Sequence, residues 1–97
     1  MYSLKGELKV INDTRIVSDK FKLREFVLTD NSGQYPQVIQ FQASQDKSEL
    51  LDALKVGQQV EVFFNLRGRE WTNPQNEVKV FNTLDAWKIE VQANDNF

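Results

Sequence analysis

The first part of the chain shows the alternation of a half-buried strand. Leu4, Leu8 and Val10 alternate with charged residues, which predicts a first strand over residues 3–12. Gly6 lies inside this run and marks a point where the strand can bend. The chain therefore begins with a strand that has one apolar face.

The apolar phase of the second predicted strand, residues 21–29, changes partway along. It stops after Leu23 and resumes at Phe26, which favours a β-bulge near Arg24 and Glu25. The alternative is that Phe21 and Leu23 face outward. The two interpretations place the charged residues of this strand differently.

The middle of the chain contains the only helix that the pattern predicts. Asp46, followed three residues later by Glu49, has the spacing of a capping box, and Gly57 supplies a stop after a short stripe of leucines. Alternating segments on both sides predict a strand over residues 38–43 before the helix and another over 59–66 after it.

A final strand is predicted over residues 78–91, and the Asn-Pro-Gln-Asn segment at 73–76 predicts the hairpin tip before it. Three strands, one short helix and two strands are the order of a five-stranded OB-fold Greek-key barrel, an all-β fold with one short helix. Another small barrel with a similar number of strands is the alternative. We expect the domain to span residues 1–91, with 92–97 as a short, frayed C-terminal tail.

The composition excludes most enzyme chemistry. The 97 residues include no cysteine and no histidine, which removes thiolate nucleophiles, Ser-His pairs and nearly every zinc or haem site. Asp13, Asp19 and Asp30 fall in separate turns, without the spacing or the glycine-rich loop of a magnesium site. We therefore expect no catalytic residues, no metal and no cofactor.

The overall charge limits how this chain can meet a polyanion. Twelve Lys and Arg against 14 Asp and Glu leave a net charge of -2, the wrong sign for coating nucleic acid with the whole surface. Any such ligand must meet a local patch. The sequence shows neither the apolar segment of a signal peptide nor a membrane span, so we expect a cytoplasmic protein without a membrane partner.

One local group of cations lies between the first two predicted strands and at the start of the second. Four positive residues face one negative residue there, a local charge of +3: Arg15, Lys20, Lys22 and Arg24 against Asp19. This group predicts a contact with phosphates. A charged strand edge that prevents aggregation is the alternative.

A second group interleaves basic and aromatic residues in the predicted hairpin: Arg67, Arg69, Trp71, Lys79 and Phe81. Single-stranded nucleic acid is bound by this combination, because cations meet the phosphates while ring faces stack on bases. The alternative is that Trp71 and Phe81 form a cross-strand aromatic pair that holds the hairpin together.

Two further features accompany the hairpin group. Phe63 is out of phase with its buried neighbours, so we expect it to face outward or towards a subunit interface. Gln37, Gln40 and Gln42 cluster at the third predicted strand, where amides can hydrogen-bond bases. A solvated polar face is the alternative for the glutamines.

Several short segments resemble a family of small bacterial proteins described as a domain of unknown function. They are the segments at 22–28, 34–36, 56–62, 69–71 and 86–90. The resemblance covers roughly residues 4–90, and that family looks like the OB-fold of single-stranded DNA-binding proteins. It implies this fold and, by analogy, a nucleic-acid role. Two positions depart from the family pattern, since Ser44-Gln45 replaces Trp-Gly before the helix and Asp85 replaces a basic residue before Ala-Trp.

These observations predict binding of single-stranded DNA, or of RNA, largely without sequence preference. The expected binding residues are Arg15, Lys20, Lys22, Arg24, Phe63, Arg67, Arg69, Trp71, Lys79 and Phe81. Replication or repair proteins and a second copy of the chain are the expected protein partners. The alternative is an OB-fold protein-interaction module or assembly subunit that binds no nucleic acid.

Overall fold

Six strands and one 3-10 helix make up the computed structural model, which describes residues 2–92. In chain order they are β1 Tyr2–Ile11, β2 Arg15–Ser18, β3 Phe21–Asp30, β4 Gln37–Ser44, the helix Gln45–Leu51, β5 Gln59–Thr72 and β6 Val78–Val91. The sheet runs in the order β1-β5-β6-β4-β3-β2, and β1 also pairs with β3, which closes a barrel of five strands. The predicted OB-fold is therefore confirmed, with its helix between the third and fourth barrel strands.

The barrel interior is filled by the inward positions of the alternating strands. Phe26 and Phe41 stack with ring centroids 5.3 Å apart, and Phe64 meets Phe41 edge-on at 5.2 Å. Such ring pairs contribute about 0.5–1.5 kcal/mol each beyond the area they bury. The buried apolar residues around them are Leu8, Leu28, Ala43, Leu51, Val60, Val62 and Ala86. The strands predicted over residues 38–43 and 59–66 lie within β4 and β5, where alternate positions such as Phe41 and Val62 are buried.

β1 closes the barrel by changing partners along its length. Its first half pairs with β5 and its second half with β3, with a register shift between Leu8 and Val10. Gly6 is buried where the partners change, and a Cβ there would stand 2.7 Å from the carbonyl oxygen of Thr29. Only glycine permits this close approach of two strands.

The predicted bulge near Arg24 and Glu25 is wrong. The pairing of β3 with β4 runs without a shift from Leu23 to Asp30. Regular alternation therefore puts Leu23 on the outer face, as the alternative interpretation had it, and Arg24 on the inward phase with Phe26. The register shifts occur instead between β1 and β3, between β2 and β3, and between β5 and β6.

The helix does not use the predicted capping box. It begins at Gln45, after Ser44, and no side chain caps it. Gln45 has a φ of 53° and binds the β2–β3 turn: its Nε2 donates to the carbonyl oxygen of Lys20 at 2.6 Å, and its Oε1 accepts from the backbone nitrogen of Lys22 at 3.4 Å. Gly57, with a φ of 99°, lies in the turn before β5 rather than at the helix end.

β5 and β6 continue past the barrel as a two-stranded ribbon, exposed on both faces, in which residues 66–72 pair with 78–84. The predicted hairpin tip is confirmed, because Asn73 Oδ1 accepts hydrogen bonds from the backbone nitrogens of Gln75 and Glu77 at 3.0 and 2.9 Å. The described residues extend over 59 × 37 × 22 Å. The predicted tail falls almost wholly at 93–97, outside the described residues.

Candidate nucleic-acid interface

One face of the ribbon gathers the five basic and aromatic residues predicted in the hairpin. Directly opposed residues of an antiparallel pair share a face, and the register opposes Arg69 to Phe81 and Trp71 to Lys79. Arg67 lies two positions before Arg69 and therefore points to the same side. We call this surface the basic ribbon face.

The two rings on the basic ribbon face are open to a ligand. Trp71 and Phe81 are each 47% exposed. They lie diagonally across the ribbon, because Lys79 stands opposite Trp71, and no ring contact joins them among residues 2–92. The alternative of an aromatic pair that holds the hairpin together is therefore not what the structure shows.

An open groove of about 330 Å³ lies at the base of the basic ribbon face. It is lined by Gln42 of β4 together with Arg67, Gly68, Arg69, Phe81 and Thr83. A second groove of about 320 Å³ shares Gln42 and Thr83 with the first and continues past Glu25 and Gln40. The two grooves adjoin at Gln42 and Thr83, and we call them together the channel.

The cations of the basic ribbon face differ in whether they form an ion pair. Arg67 Nε lies 2.9 Å from Asp85 Oδ2, whose side chain is only 18% exposed. Arg69 and Lys79 form no ion pair with any other residue of the 2–92 segment. These two side chains are the cations most available to a phosphate.

Arg24 serves the fold rather than this channel. Its Nη1 lies 2.6 Å from Asp52 Oδ1 and 3.3 Å from the carbonyl oxygen of Ser48, and its Nε donates to the carbonyl oxygen of Asn12 at 2.8 Å. The Arg24 side chain is only 14% exposed. It ties the end of the helix and the β1–β2 connection to β3, and it is not presented to a phosphate.

The other cations of the first group lie in two places, because Lys20 and Lys22 line a separate groove at the β2–β3 hairpin and Arg15 does not. Arg15 lies on the outer side, 3.5 Å from Glu25, whose other oxygen accepts a 2.6 Å hydrogen bond from Gln40. Lys22 stands opposite the exposed Ile16 of β2, on the face of the β2–β3 hairpin away from Arg15. Lys20 lies in the β2–β3 turn. Only Arg15 therefore borders the channel, and it does so through a carboxylate.

Phe63 faces outward on the barrel wall. Its ring centroid lies 5.8 Å from that of Trp87, and the Nζ of Lys88 stands 5.3 Å above the ring. A register shift in β6 places both of these residues beside Phe63. Phe63 and Trp71 are eight positions apart on β5, about 26 Å at the rise of a strand.

Thr83 lines the channel and Asp85 pairs with one of its arginines, although the sequence pattern selected neither residue for it. The hairpin tip at 73–76 contains the signal, because counting outward from it opposes Arg67 to Thr83. The ion pair between Arg67 and Asp85 is diagonal, and only the structure reveals it.

The remaining chemistry of the described part lies outside the channel. The Ser32 side chain and backbone nitrogen donate hydrogen bonds to Asp30, which lowers the pKa of this carboxyl below its usual value. In the 2–92 segment no three acidic, histidine or cysteine side chains are grouped as metal ligands. No helix of that segment is long and apolar enough to cross a membrane.

The closed barrel, the helix position and the long ribbon between the last two strands define the OB-fold class. The chain belongs to the family described as Domain of unknown function (DUF3127), whose model matches residues 3–90. The resemblance seen in the sequence is thereby confirmed. No curated protein matches the chain in sequence.

Solved structures with a similar fold include three proteins of low sequence identity. The mitochondrial single-stranded DNA-binding protein Rim1 of S. cerevisiae is 10% identical, with a TM-score of 0.73 over 96% of this chain and 94% of that one. The single-stranded DNA-binding protein of Thermus aquaticus is 22% identical, with a TM-score of 0.70 over 96% and 50% of the chains. The dimeric N-terminal domain of PriB from Thermoanaerobacter tencongensis is 18% identical, with a TM-score of 0.66 over 96% of each chain. At these identities the likeness shows the fold alone.

Proposed function

We propose that this protein binds single-stranded DNA without sequence preference, along the channel and the basic ribbon face. Single-stranded RNA is the alternative ligand, since it offers the same phosphates and base faces. The observation that carries the proposal is the hairpin register, which sets three cations and two exposed rings on one open face. The fold shared with two proteins named for single-stranded DNA binding supports it.

Each part of the face has a chemical task in this proposal. Arg69 and Lys79 hold backbone phosphates, while Trp71 and Phe81 accept bases by stacking, worth about 1–3 kcal/mol per base. Gln42 offers both a donor and an acceptor at the groove and can meet any base edge. Because every base can stack on an aromatic ring, we expect this face to bind without sequence specificity.

The binding set is narrower than the sequence predicts. Arg24 is engaged in the fold, and Lys20 and Lys22 lie at the β2–β3 hairpin away from the channel. Phe63 packs against Trp87 and Lys88 on the barrel wall. Arg15 remains at the channel border. Because the chain as a whole is net negative, we expect the bound single-stranded DNA to follow the ribbon rather than the barrel wall.

Salt dependence gives the proposal a quantitative form. The two cations without an ion pair in residues 2–92, Arg69 and Lys79, make two phosphate contacts, and each single-strand contact contributes a slope of about -0.7 in log affinity against log salt. The expected slope for the protein is therefore about -1.4. Removal of Arg69 and Lys79 together leaves only Arg67, which is paired with Asp85, and a nearly flat salt response.

The test is a titration of labelled oligo-dT and of duplex DNA of equal length, over a salt series that begins at low salt. We expect tighter binding of the single strand, and a weaker, flatter response in the Arg69→Ala/Lys79→Ala variant. The matched control is Lys47→Ala/Lys55→Ala, which removes the same charge from exposed positions outside the channel. Equal losses in both double variants, or binding of neither nucleic acid, would refute the proposal and favour the interaction module.

A further inference from the structure

The face of the ribbon opposite the basic one exposes several apolar side chains beside Glu70, Thr72 and Asn82. Leu66, Val78 and Val80 are 53%, 58% and 64% exposed, and all three continue the inward phase of β5 and β6. On the same phase Phe64 is buried in the barrel and Leu84 packs against the core. The core pattern thus continues beyond the point where the barrel ends.

An aromatic residue of β1 widens this surface. Tyr2 stands opposite Phe64 and stacks on its ring at 5.7 Å, yet it is 54% exposed. The surface therefore begins at the barrel end and runs along the ribbon. We call it the apolar ribbon face, made of Tyr2, Leu66, Val78 and Val80.

An isolated two-stranded hairpin is at most marginally stable, and packing a second layer on its apolar face stabilises such a pair of strands. Within residues 2–92 the chain places no element over the exposed valines of this ribbon. A layer that covers this face would therefore come from outside those residues.

We propose that the apolar ribbon face is a self-association surface, on which two copies of this chain pack their ribbons against each other around a two-fold axis. Charge favours a second copy as the occupant. Glu70 is the one charged residue on this phase between positions 64 and 86, whereas the opposite face holds three cations and would repel its own copy. A two-fold contact needs a self-complementary patch, and this nearly uncharged face satisfies that need.

The size of the ribbon sets the strength of the association. Residues 64–72 span about 30 Å at the rise of a strand, and two strands are about 10 Å wide, a footprint of about 300 Å² per copy. Two sheets packed face to face at that size fall in the class of weak interfaces. The structure therefore implies a monomer–dimer equilibrium rather than an obligate dimer.

Packing of this kind leaves the proposed binding function free. The basic ribbon face points away from the contact in each copy, so a dimer presents two such faces on opposite sides. The self-association does not depend on nucleic acid, and its test contains none. Failure of one proposal therefore leaves the other standing.

The experiment is sedimentation equilibrium of the protein alone over a wide concentration range. We expect the average mass to rise from 11.3 kDa towards twice that value. Val80→Glu adds a second carboxylate opposite Glu70, so that like charges meet across the axis, and should raise the dimer dissociation constant by about a hundredfold or more. Val56→Glu is the control, because it changes an equally exposed valine, 62% accessible, in the turn before β5.

A second variant guards against a folding defect in Val80→Glu. Val78→Thr/Val80→Thr keeps the branched shape that strands favour and removes apolar surface without adding charge. It should weaken association while leaving the thermal melt of the dilute protein close to that of the wild type. A mass that stays at the monomer value, or an association unaffected by both variants, would overturn the proposal.

Discussion

Trp71→Ala separates a ring that binds a ligand from a ring that supports the fold. Trp71 is half exposed, stands opposite Lys79 and contacts no other ring among the described residues. Its removal opens no cavity in the core. We therefore expect the free energy of unfolding to change by no more than about 0.5 kcal/mol, as for other exposed positions.

The expected effect on binding is much larger. One base–aromatic stack is worth about 1–3 kcal/mol, which corresponds to a loss of about 5- to 150-fold in affinity for oligo-dT. Anisotropy of a labelled oligonucleotide measures this loss without relying on the protein's own fluorescence. Tyr35→Ala is the control, since Tyr35 is 70% exposed in the β3–β4 loop and lines neither groove of the channel.

Fluorescence tests the stack directly. Trp87 also emits, so the titration uses Trp87→Phe, which keeps a ring beside Phe63. Bound oligo-dT should then quench the emission of Trp71. Unquenched emission at saturation, or a lowered melting temperature with unchanged affinity in Trp71→Ala, would show that the ring is structural and refute the reasoning.

Three further substitutions probe the fold and the channel. Arg24→Ala should lower the free energy of unfolding in urea by about 1–3 kcal/mol and leave affinity unchanged, because its bond to Asp52 joins the helix to β3; an unaltered urea midpoint would contradict this. Gly6→Ala should cost about 1–3 kcal/mol in a thermal melt, because its Cβ would stand 2.7 Å from a carbonyl oxygen of β3; a wild-type melt would show that the strands can separate there. Asp85→Asn should release Arg67 and strengthen oligo-dT binding about 2- to 5-fold at low salt, and this gain in affinity should fade as salt is added. Weaker binding would instead show that the ion pair positions Arg67 for the ligand.

The sequence predicts best those strands that have a long alternating pattern of their own and a recognisable turn beside them. The predicted strand at 78–91 coincides with β6, because its alternation is long and its start is marked by the turn at 73–76. β2 was missed for the opposite reason. It has four residues, all exposed, and it is held by pairing with β3 rather than by an apolar pattern of its own.

The candidate site was predictable where its residues are close in sequence and not where they are distant. The hairpin group lies on adjacent strands joined by a recognisable turn, so register alone brings its members together. The first cation group was misleading because the partners of its members are distant in sequence. Arg24 and Asp52 are 28 positions apart, and no local pattern indicates that they meet.

The register of the hairpin determines what each face of the ribbon can do. Odd positions of β5 in the ribbon carry Arg67, Arg69 and Trp71. Leu66 of β5, with Val78 and Val80 of β6, lies on the even phase that continues the core. A slip of one residue would send a strand's cations to the apolar face and its valines to the channel. Asn73 holds the register by accepting two backbone hydrogen bonds, and Asn76 takes the φ of 62° that the turn requires. The turn therefore specifies the binding face as much as the binding residues do, although it contacts no ligand in this proposal.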